Sequence, residues 1–203
     1  MLRRMGMISD SGKMLPSGYK LCEYLESTGT QYIDTGITVH PLADESRLDY
    51  MSLKKEGESF QVPFGVSDDS GNSGWHIYIG SANYLNFRNG IDTAVDTGIY
   101  IGYGDRFSCI LSGSGFSVDA SIFHRKSDNR VVSYPITIGK RNSNKTNANA
   151  KGRFFTFYHY RSGEMIMNLV PCLDQYGIPC MYDTVSKQSF YNQGTGEFLY
   201  KLS

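Results

Sequence analysis

Cysteine, proline and tryptophan are scarce in this chain of 203 residues, which contains four, six and one of them respectively. The cysteines form no C-x-x-C pair and lie at no zinc-finger spacing from a histidine, so the sequence predicts no zinc site. The sequence leaves open whether Cys172 and Cys180 form a disulfide, because the two residues flank a turn-like segment at 174–177. We otherwise expect buried thiols made in a reducing cytoplasm at Cys22, Cys109, Cys172 and Cys180.

An excess of either charge is also missing, because 20 Lys and Arg residues balance 20 Asp and Glu residues. This balance gives no general electrostatic reason to expect nucleic acid or an anionic membrane as a partner. No stretch approaches the roughly 20 apolar residues of a membrane-spanning helix. Arg3 and Arg4 give the N-terminus the charge of a secretory signal, but no adequate apolar run follows them. We therefore expect no export by that route.

No sequence motif for catalysis is present either. Glycoside hydrolysis needs two carboxylates across a cleft, yet there is no E-x-D-x-x-E run, and Glu23 and Glu26 would fall on opposite faces of a strand. There is no G-x-S-x-G elbow and no P-loop, and no histidine carries a signature that pairs it with a nucleophile. We therefore predict that the protein is not an enzyme. The histidines are His40, His76, His124 and His159.

Metal ligands do not occur in a recognisable order. Residues 68–72 bring Asp, Ser and Asn close together, but they lack the D-x-[DN]-x-[DN]-G order and the closing Glu of a calcium loop. The Asn-rich segment 141–150 has no acidic residue to supply charge to a calcium site. We predict no cofactor and no metal site, and a calcium ion stays open.

Glycine and aromatic residues are abundant, with 22 Gly, 15 Tyr and 11 Phe. Aromatic residues favour strands, and glycine favours the tight turns between them. Together with alternating apolar and polar residues, this composition predicts a single all-β domain. Strands are predicted at 47–53, 59–66, 75–79, 84–88, 107–111, 115–120, 130–138, 153–160, 165–170, 179–182 and 188–191.

Three of these patterns predict a place in a sheet. Residues 23–37 alternate on both sides of a Ser-Thr-Gly turn and predict a β-hairpin, whose second strand has mixed faces that suit a sheet edge. Pro63 within 59–66 predicts an edge, a bulge or a break. Segment 153–160 is aromatic-rich on both faces, which predicts a central strand covered on both sides.

Two stretches carry a resemblance to a known family. Residues 15–19 (LPSGY) and 23–37 (EYLESTGTQYIDTGI) resemble the opening of concanavalin A-like (laminin G-like) domains of bacteriophage and prophage structural proteins. The far end resembles the same family at residues 169–172 (LVPC), 181–183 (MYD) and 192–198 (NQGTGEF). The resemblance implies a concanavalin A-like jelly-roll β-sandwich of two antiparallel sheets. We take 17–203 as this domain and 1–16 as a short N-terminal extension.

The predicted hairpin at 75–88 carries the candidate binding site. Its alternation directs Trp75, Ile77, Ile79, Leu85 and Phe87 to the core. Aromatic rings stack on sugar rings and polar side chains bond to sugar hydroxyls, so the opposite face is a candidate glycan-binding surface. An ordinary solvated face, or one covered by a loop, has the same pattern. The candidate residues are His76, Tyr78, Tyr84, Asn86 and Arg88.

The N-terminal extension is a candidate assembly anchor. Its arginines suit acidic partners, and its apolar side chains suit grooves on a neighbouring protein. The anchor residues are Leu2, Arg3, Arg4, Met5, Met7 and Ile8.

We therefore expect a non-enzymatic virion structural protein of a bacteriophage or prophage, made in the host cytoplasm and exposed on head, neck or tail. The extension would bind other virion proteins, and the lectin-like domain would bind host-cell or mucosal carbohydrate. A cementing, decoration or adaptor protein that binds no sugar and a bacterial lectin-like adhesin are the alternatives. A homo-oligomer stays open.

Overall fold

The computed structural model describes residues 15–68, 73–90, 93–127, 130, 132–143 and 148–203. Every element in this part of the chain is a β-strand. The strands are β1 (Lys20–Thr28), β2 (Ile33–Val39), β3 (Asp44–Ser52), β4 (Gln61–Ser67), β5 (Gly74–Ile79), β6 (Tyr84–Asn89), β7 (Val95–Tyr100), β8 (Arg106–Ser112), β9 (Gly115–Val118), β10 (Ser121–His124), β11 (Val132–Ile138), β12 (Lys151–Arg161), β13 (Glu164–Leu173), β14 (Pro179–Asp183), β15 (Gln188–Tyr191) and β16 (Leu199–Leu202).

These strands form two antiparallel sheets. The large sheet has 10 strands in the order β10-β9-β8-β3-β12-β1-β13-β14-β15, with β16 paired to β1. The small sheet has 6 strands in the order β2-β11-β4-β5-β6-β7. Neighbours in both sheets include strands far apart in sequence, as expected for a jelly-roll sandwich. The predicted fold class, an all-β jelly-roll sandwich, is confirmed.

The core lies between the two sheets. Large aromatic side chains from both sheets meet there, and the rings of Phe64 in β4 and Phe157 in β12 pack edge to face with centroids 5.6 Å apart. Trp75 is fully buried in the same cluster. Burial of a side chain of this size contributes about 1.5–3 kcal/mol relative to exposure, so these facing positions hold the sheets together.

The predicted hairpin at 23–37 is wrong, because its two strands belong to different sheets. β1 lies in the large sheet, and β2 forms an edge of the small sheet, which confirms its predicted edge position. The buried side chain of Gln31 stabilises the segment that connects β1 to β2. Its Oε1 accepts hydrogen bonds from the backbone N–H of Thr28 at 2.9 Å and from the hydroxyl of Ser27 at 3.1 Å. Segment 29–32 therefore passes from one sheet to the other.

The positions of β12 and Pro63 in the sheets agree in part with the predictions from the sequence. β12 is central, between β3 and β1, but its outward side chains Tyr158 and Tyr160 stay partly exposed, so the predicted cover on both faces holds for one face only. Pro63 lies in β4, an inner strand of the small sheet, where the pairing with β5 shifts register between Gln61 and Phe64. This shift confirms the predicted bulge.

The cysteines are free and buried. Cys172 and Cys180 are direct cross-strand partners in β13 and β14, with their sulfur atoms 3.5 Å apart and no bond between them. Burial raises the pKa of the Cys22 thiol to about 11, and the nearby Cys180 adds to this rise. The cysteines therefore pack in the interior, as expected from the sequence.

Residues 1–14 lie outside the described part of the chain. The predicted anchor residues Leu2, Arg3, Arg4, Met5, Met7 and Ile8 fall in this stretch, and their role stays a prediction. From Leu15 onward the chain packs on the large sheet, where Leu15 and Tyr19 contact a small apolar cluster of Cys172, Cys180 and Tyr182.

Candidate functional site

The β5–β6 hairpin positions the candidate site. A tight turn joins its strands, where Gly80 N–H donates to the Tyr84 carbonyl at 2.9 Å and Asn83 adopts a left-handed φ of 64°. His76 pairs across the strands with Arg88, and Tyr78 pairs with Asn86, so these four side chains share a face. Opposite this face, the predicted core residues Trp75, Ile77, Ile79, Leu85 and Phe87 are all fully buried, which confirms the predicted register.

A pocket of about 360 Å³ opens on the outer face of this hairpin, and we call it the Tyr78 pocket. Phe60 and Tyr78 form an aromatic wall of the pocket. Their rings pack edge to face, with centroids 6.1 Å apart. The guanidinium carbon of Arg141 lies 5.5 Å from the centre of the Phe60 ring. The lining residues are Phe60, His76, Tyr78, Gly80, Ser81, Arg88 and Arg141.

His76 forms the buried floor of the Tyr78 pocket. Only 1% of its surface is exposed, and its Nδ1 lies 3.2 Å from the carbonyl oxygen of Val66. Burial lowers the pKa of His76 to about 3, and the nearby charges of Arg141 and Arg88 add to this effect against the opposing hydrogen bond to Val66. The imidazole is therefore neutral at pH 7, with Nδ1–H as the donor to Val66.

The charges of Arg88 and Arg141 both act on the groups of the pocket. Burial lowers the pKa of Arg141, and the charge of Arg88 lowers it further, against the opposing attraction of Tyr78. Burial raises the pKa of Tyr78, while Arg88 and Arg141 oppose this rise and Asp96 adds to it. Both shifts show that each guanidinium acts on the groups around the pocket.

Five residues were predicted for this face, and the structure brings three of them together. His76, Tyr78 and Arg88 line the pocket. Tyr84 is 41% exposed but its ring packs against Tyr100, with centroids 6.0 Å apart. Asn86 is almost buried, and its side-chain amide donates to the Tyr84 carbonyl at 2.9 Å. The role of all five residues in glycan binding stays a prediction.

Sequence reasoning missed two side chains of the pocket. Phe60 precedes β4, and Arg141 follows β11, so each lies far in sequence from the hairpin that it joins. The alternation around Phe60 does indicate a strand nearby. No local signal around Arg141 indicates its approach to Phe60, because this contact depends on the pairing of β11 with β4.

A larger pocket, of about 830 Å³, lies elsewhere, beside the start of β3. Its aromatic side chain, Tyr160, is covered by the guanidinium of Arg47 at 4.7 Å from the ring centre. Arg47 is itself paired with Glu45 at 2.6 Å. Tyr160 is the one Tyr, Phe or Trp among the described residues that line this pocket, whereas both Phe60 and Tyr78 line the Tyr78 pocket, so this pocket is the weaker candidate.

A buried polar chain of serine, histidine and aspartate lies between the sheets. Ser46 Oγ is 2.9 Å from Nδ1 of His159, whose Nε2 is 3.2 Å from Oδ2 of Asp44. Trp75 donates its indole N–H to Ser46 Oγ at 2.9 Å. All four residues are buried, so the serine has no access to a substrate. The chain instead links β3 and β12 of the large sheet to β5 of the small sheet.

Asp44 is the charged end of this chain. Burial alone would raise its pKa, but hydrogen bonds from His159, from Arg161 and from the backbone of His40 hold the pKa well below its usual range. The Arg161 guanidinium contacts both carboxylate oxygens, at 2.8 and 3.0 Å. Asp44 is therefore a buried and fully paired carboxylate.

In the ranges that the structure describes, no three His, Cys, Asp or Glu side chains lie close enough to hold a metal ion. Within those same ranges, no helix has the length and apolar character needed to cross a membrane.

Neither protein-family models nor curated proteins match the chain. Among solved structures, an intramolecular trans-sialidase from leech is 13% identical over 68% of this chain and 26% of its own, with a TM-score of 0.44. A NanB sialidase from Streptococcus pneumoniae is 10% identical over 86% and 38%, with a TM-score of 0.44. A heptameric SAP-like pentraxin from Limulus polyphemus is 11% identical over 91% and 94%, with a TM-score of 0.47.

This likeness concerns the fold alone, and the chain spans only 26% of the length of the leech enzyme. The two packed antiparallel sheets of the chain agree with the β-sandwich that the resemblance in the sequence implies. The bacteriophage part has no counterpart among these structures and stays a prediction. The prediction that the protein is not an enzyme is contradicted, because two of these three chains are enzymes, and we withdraw it.

Proposed function

We propose that the protein binds carbohydrate in the Tyr78 pocket. The observation that carries the proposal is a half-buried tyrosine beside a second aromatic ring, with hydrogen-bond donors at the same opening. Sugar rings present C–H groups on their faces and hydroxyl groups around their edges. A pocket that combines an aromatic surface with polar side chains matches both.

The shape of the pocket sets the size of its ligand. Binding pockets for small molecules commonly enclose about 300–1,000 Å³, and the Tyr78 pocket, at about 360 Å³, lies near the lower end. It therefore suits a short part of a glycan, with the rest of the chain in solvent. Tyr78 and Phe60 would supply the apolar contact, and Ser81, an exposed lining residue, would bond sugar oxygens through its hydroxyl.

We place this activity in a structural protein of a bacteriophage virion. The support is the resemblance of residues 15–37 and 169–198 to phage and prophage structural domains. In this setting the N-terminal extension attaches the domain to other virion proteins, and the pocket binds carbohydrate on the host cell or in mucus. A purely structural subunit is the alternative if no carbohydrate binds.

The test is binding of the purified protein to a glycan array and to host-cell polysaccharide. Tyr78→Ala should weaken binding about tenfold, because it removes an aromatic contact surface at the centre of the pocket. Tyr84→Ala is the matched control, since Tyr84 lies on the same hairpin, is partly exposed and does not line the pocket. Thermal unfolding of both variants shows that the domain remains folded.

Three results would contradict the proposal. Absence of binding across a broad panel would leave the domain as an assembly part, and binding that survives Tyr78→Ala would exclude this pocket. Loss of binding with Tyr84→Ala alone would move the site toward Tyr100. Mass spectrometry of the bound sugars before and after incubation shows whether the protein also alters them.

A further inference from the structure

Two arginines from separate parts of the chain reach the same small pocket. Arg88 belongs to β6 and lies opposite His76, while Arg141 follows β11 and lies over Phe60. Both residues are partly buried, and each has a further interaction within the protein. Among the described residues that line the pocket there is no aspartate or glutamate.

The electrostatic effect of this pair reaches the other lining groups. The charges of Arg141 and Arg88 both contribute to the lowered pKa of His76, and both favour the ionised form of Tyr78. The charge of Asp96 acts on Tyr78 in the opposite direction, but Asp96 is not among the residues that line the pocket. A neutral sugar has no group that would use the two guanidinium charges.

We infer that the sugar bound in the Tyr78 pocket carries an acidic group, a carboxylate or a sulfate; this inference rests on the proposed function. A guanidinium presents planar N–H donors that match the oxygens of both groups, and such charge-assisted bonds are about twice as strong as neutral ones. The aromatic side chains of Tyr78 and Phe60 contact the sugar ring, and the guanidiniums of Arg88 and Arg141 bind its acidic substituent.

Burial strengthens this preference. Arg141 is sufficiently desolvated for its pKa to fall, so an anion that reaches it meets a weakly hydrated cation. The neutral imidazole of His76 on the floor adds no competing charge. The acidic substituent therefore determines which glycans bind, while the ring contact is shared by neutral and acidic sugars.

The test uses acidic oligosaccharides, each compared with a neutral form that has the same backbone. Oligogalacturonate is paired with its methyl ester, and a sulfated oligosaccharide with its desulfated form. We expect the acidic form of at least one pair to bind about tenfold or more tightly, because it gains charge-assisted hydrogen bonds. Its affinity should fall as the salt concentration rises from about 50 mM to about 500 mM.

Variants that remove a charge then show which arginines cause the preference for the acidic form. Arg88→Gln and Arg141→Gln should each weaken binding of the acidic form about tenfold and leave binding of the neutral form nearly unchanged. Arg47→Gln is the matched control, because Arg47 is an exposed arginine that lines another pocket. Arg88→Lys and Arg141→Lys keep the charge and show whether the planar guanidinium itself is needed.

The outcomes separate this inference from the proposed function. Equal binding of neutral and acidic forms, or acidic binding that survives both glutamine variants, would overturn the inference and leave carbohydrate binding in place. Failure of every sugar to bind would overturn both. Equal losses with Arg47→Gln would show a general charge effect, which also overturns the inference.

Discussion

At the scale of single residues, Gly65 shapes the Tyr78 pocket because it has no side chain and so leaves room for His76. Gly65 in β4 lies directly opposite His76, with a φ of 141° that side chains rarely adopt. A Cβ atom at Gly65 would collide with the Cβ of His76 and with the carbonyl oxygen of Trp75. The buried position of the imidazole under the pocket therefore depends on glycine at the neighbouring strand.

The same histidine predicts how stability depends on pH. Its pKa falls from 6.5 in the unfolded chain to about 3 in the folded protein, so the unfolded chain binds more protons between these values. Its contribution is complete above pH 6.5 and is lost as the pH falls. From pH 7 to pH 5, the free energy of unfolding should decrease by about 2 kcal/mol through this group.

Denaturant unfolding at several pH values measures this slope. His76→Gln keeps a donor for the Val66 carbonyl but cannot titrate, so the slope between pH 7 and pH 5 should flatten. His124→Gln is the control for the replacement of a histidine by glutamine, because His124 is exposed and lies outside the pocket. Asp44 does not interfere, since its depressed pKa removes stability only as the pH falls below about 4. An unchanged slope in His76→Gln would contradict the prediction.

At the scale of elements, the crossing from β1 to β2 depends on one side-chain amide. Oε1 of Gln31 accepts hydrogen bonds from the backbone and hydroxyl of Thr28 and from the hydroxyl of Ser27. Gln31→Leu fills similar space but removes the acceptor of the Thr28 backbone N–H, while the Ser27 hydroxyl keeps the Gln31 backbone carbonyl as a partner. The free energy of unfolding should fall by about 0.5–1.5 kcal/mol through the lost hydrogen bonds.

Chemical denaturation of the variant checks this value. Gln193→Leu serves as control, because Gln193 is exposed and should tolerate the change. A loss in Gln31→Leu no larger than in the control would show that the crossing does not need the amide.

The strands differ in how well the sequence predicts them. Trp75, Ile77 and Ile79 alternate strictly, and their burial follows from the period of a strand. β10 and β16 were missed because their side chains are mostly exposed. β7 was missed although it alternates, because its inward side chains are only partly buried and include Thr97 between Val95 and Ile99. The predicted hairpin at 23–37 failed for a different reason: a Ser-Thr-Gly turn fits a hairpin locally, and only tertiary pairing separates its strands.

The residues of the candidate site also differ in how well the sequence predicts them. Alternation in the hairpin identified Tyr78 and Arg88 on the outer face, because that information is local. The burial of His76 and the approach of Phe60 and Arg141 follow from pairings with β4 and β11, which no local pattern contains. Long-range pairing therefore determines which members of a predicted face form a pocket.

At the scale of the whole molecule, the proposed virion role predicts separate parts for binding and attachment. The pocket lies within the small sheet, and the predicted anchor residues precede Leu15. Deletion of residues 2–14 should therefore abolish incorporation into phage particles, because it removes the arginines and apolar side chains proposed to contact other virion proteins. Particle composition measured by mass spectrometry checks the result.

The shortened protein should keep its affinity for carbohydrate, which serves as the control for folding. Normal incorporation of the shortened protein would exclude the extension as the anchor. Incorporation together with intact sugar binding would place attachment elsewhere on the domain.

Trp75 has a spectroscopic consequence. It is the only tryptophan in the chain, and its indole is fully buried with its N–H bonded to Ser46. Tryptophan fluorescence therefore comes from one ring between the two sheets, shielded from quenchers in solution. Because Trp75 and His76 point to opposite faces of β5, the emission reports separation of the sheets and not contact with a ligand. The protein thus carries a built-in optical probe of its own core.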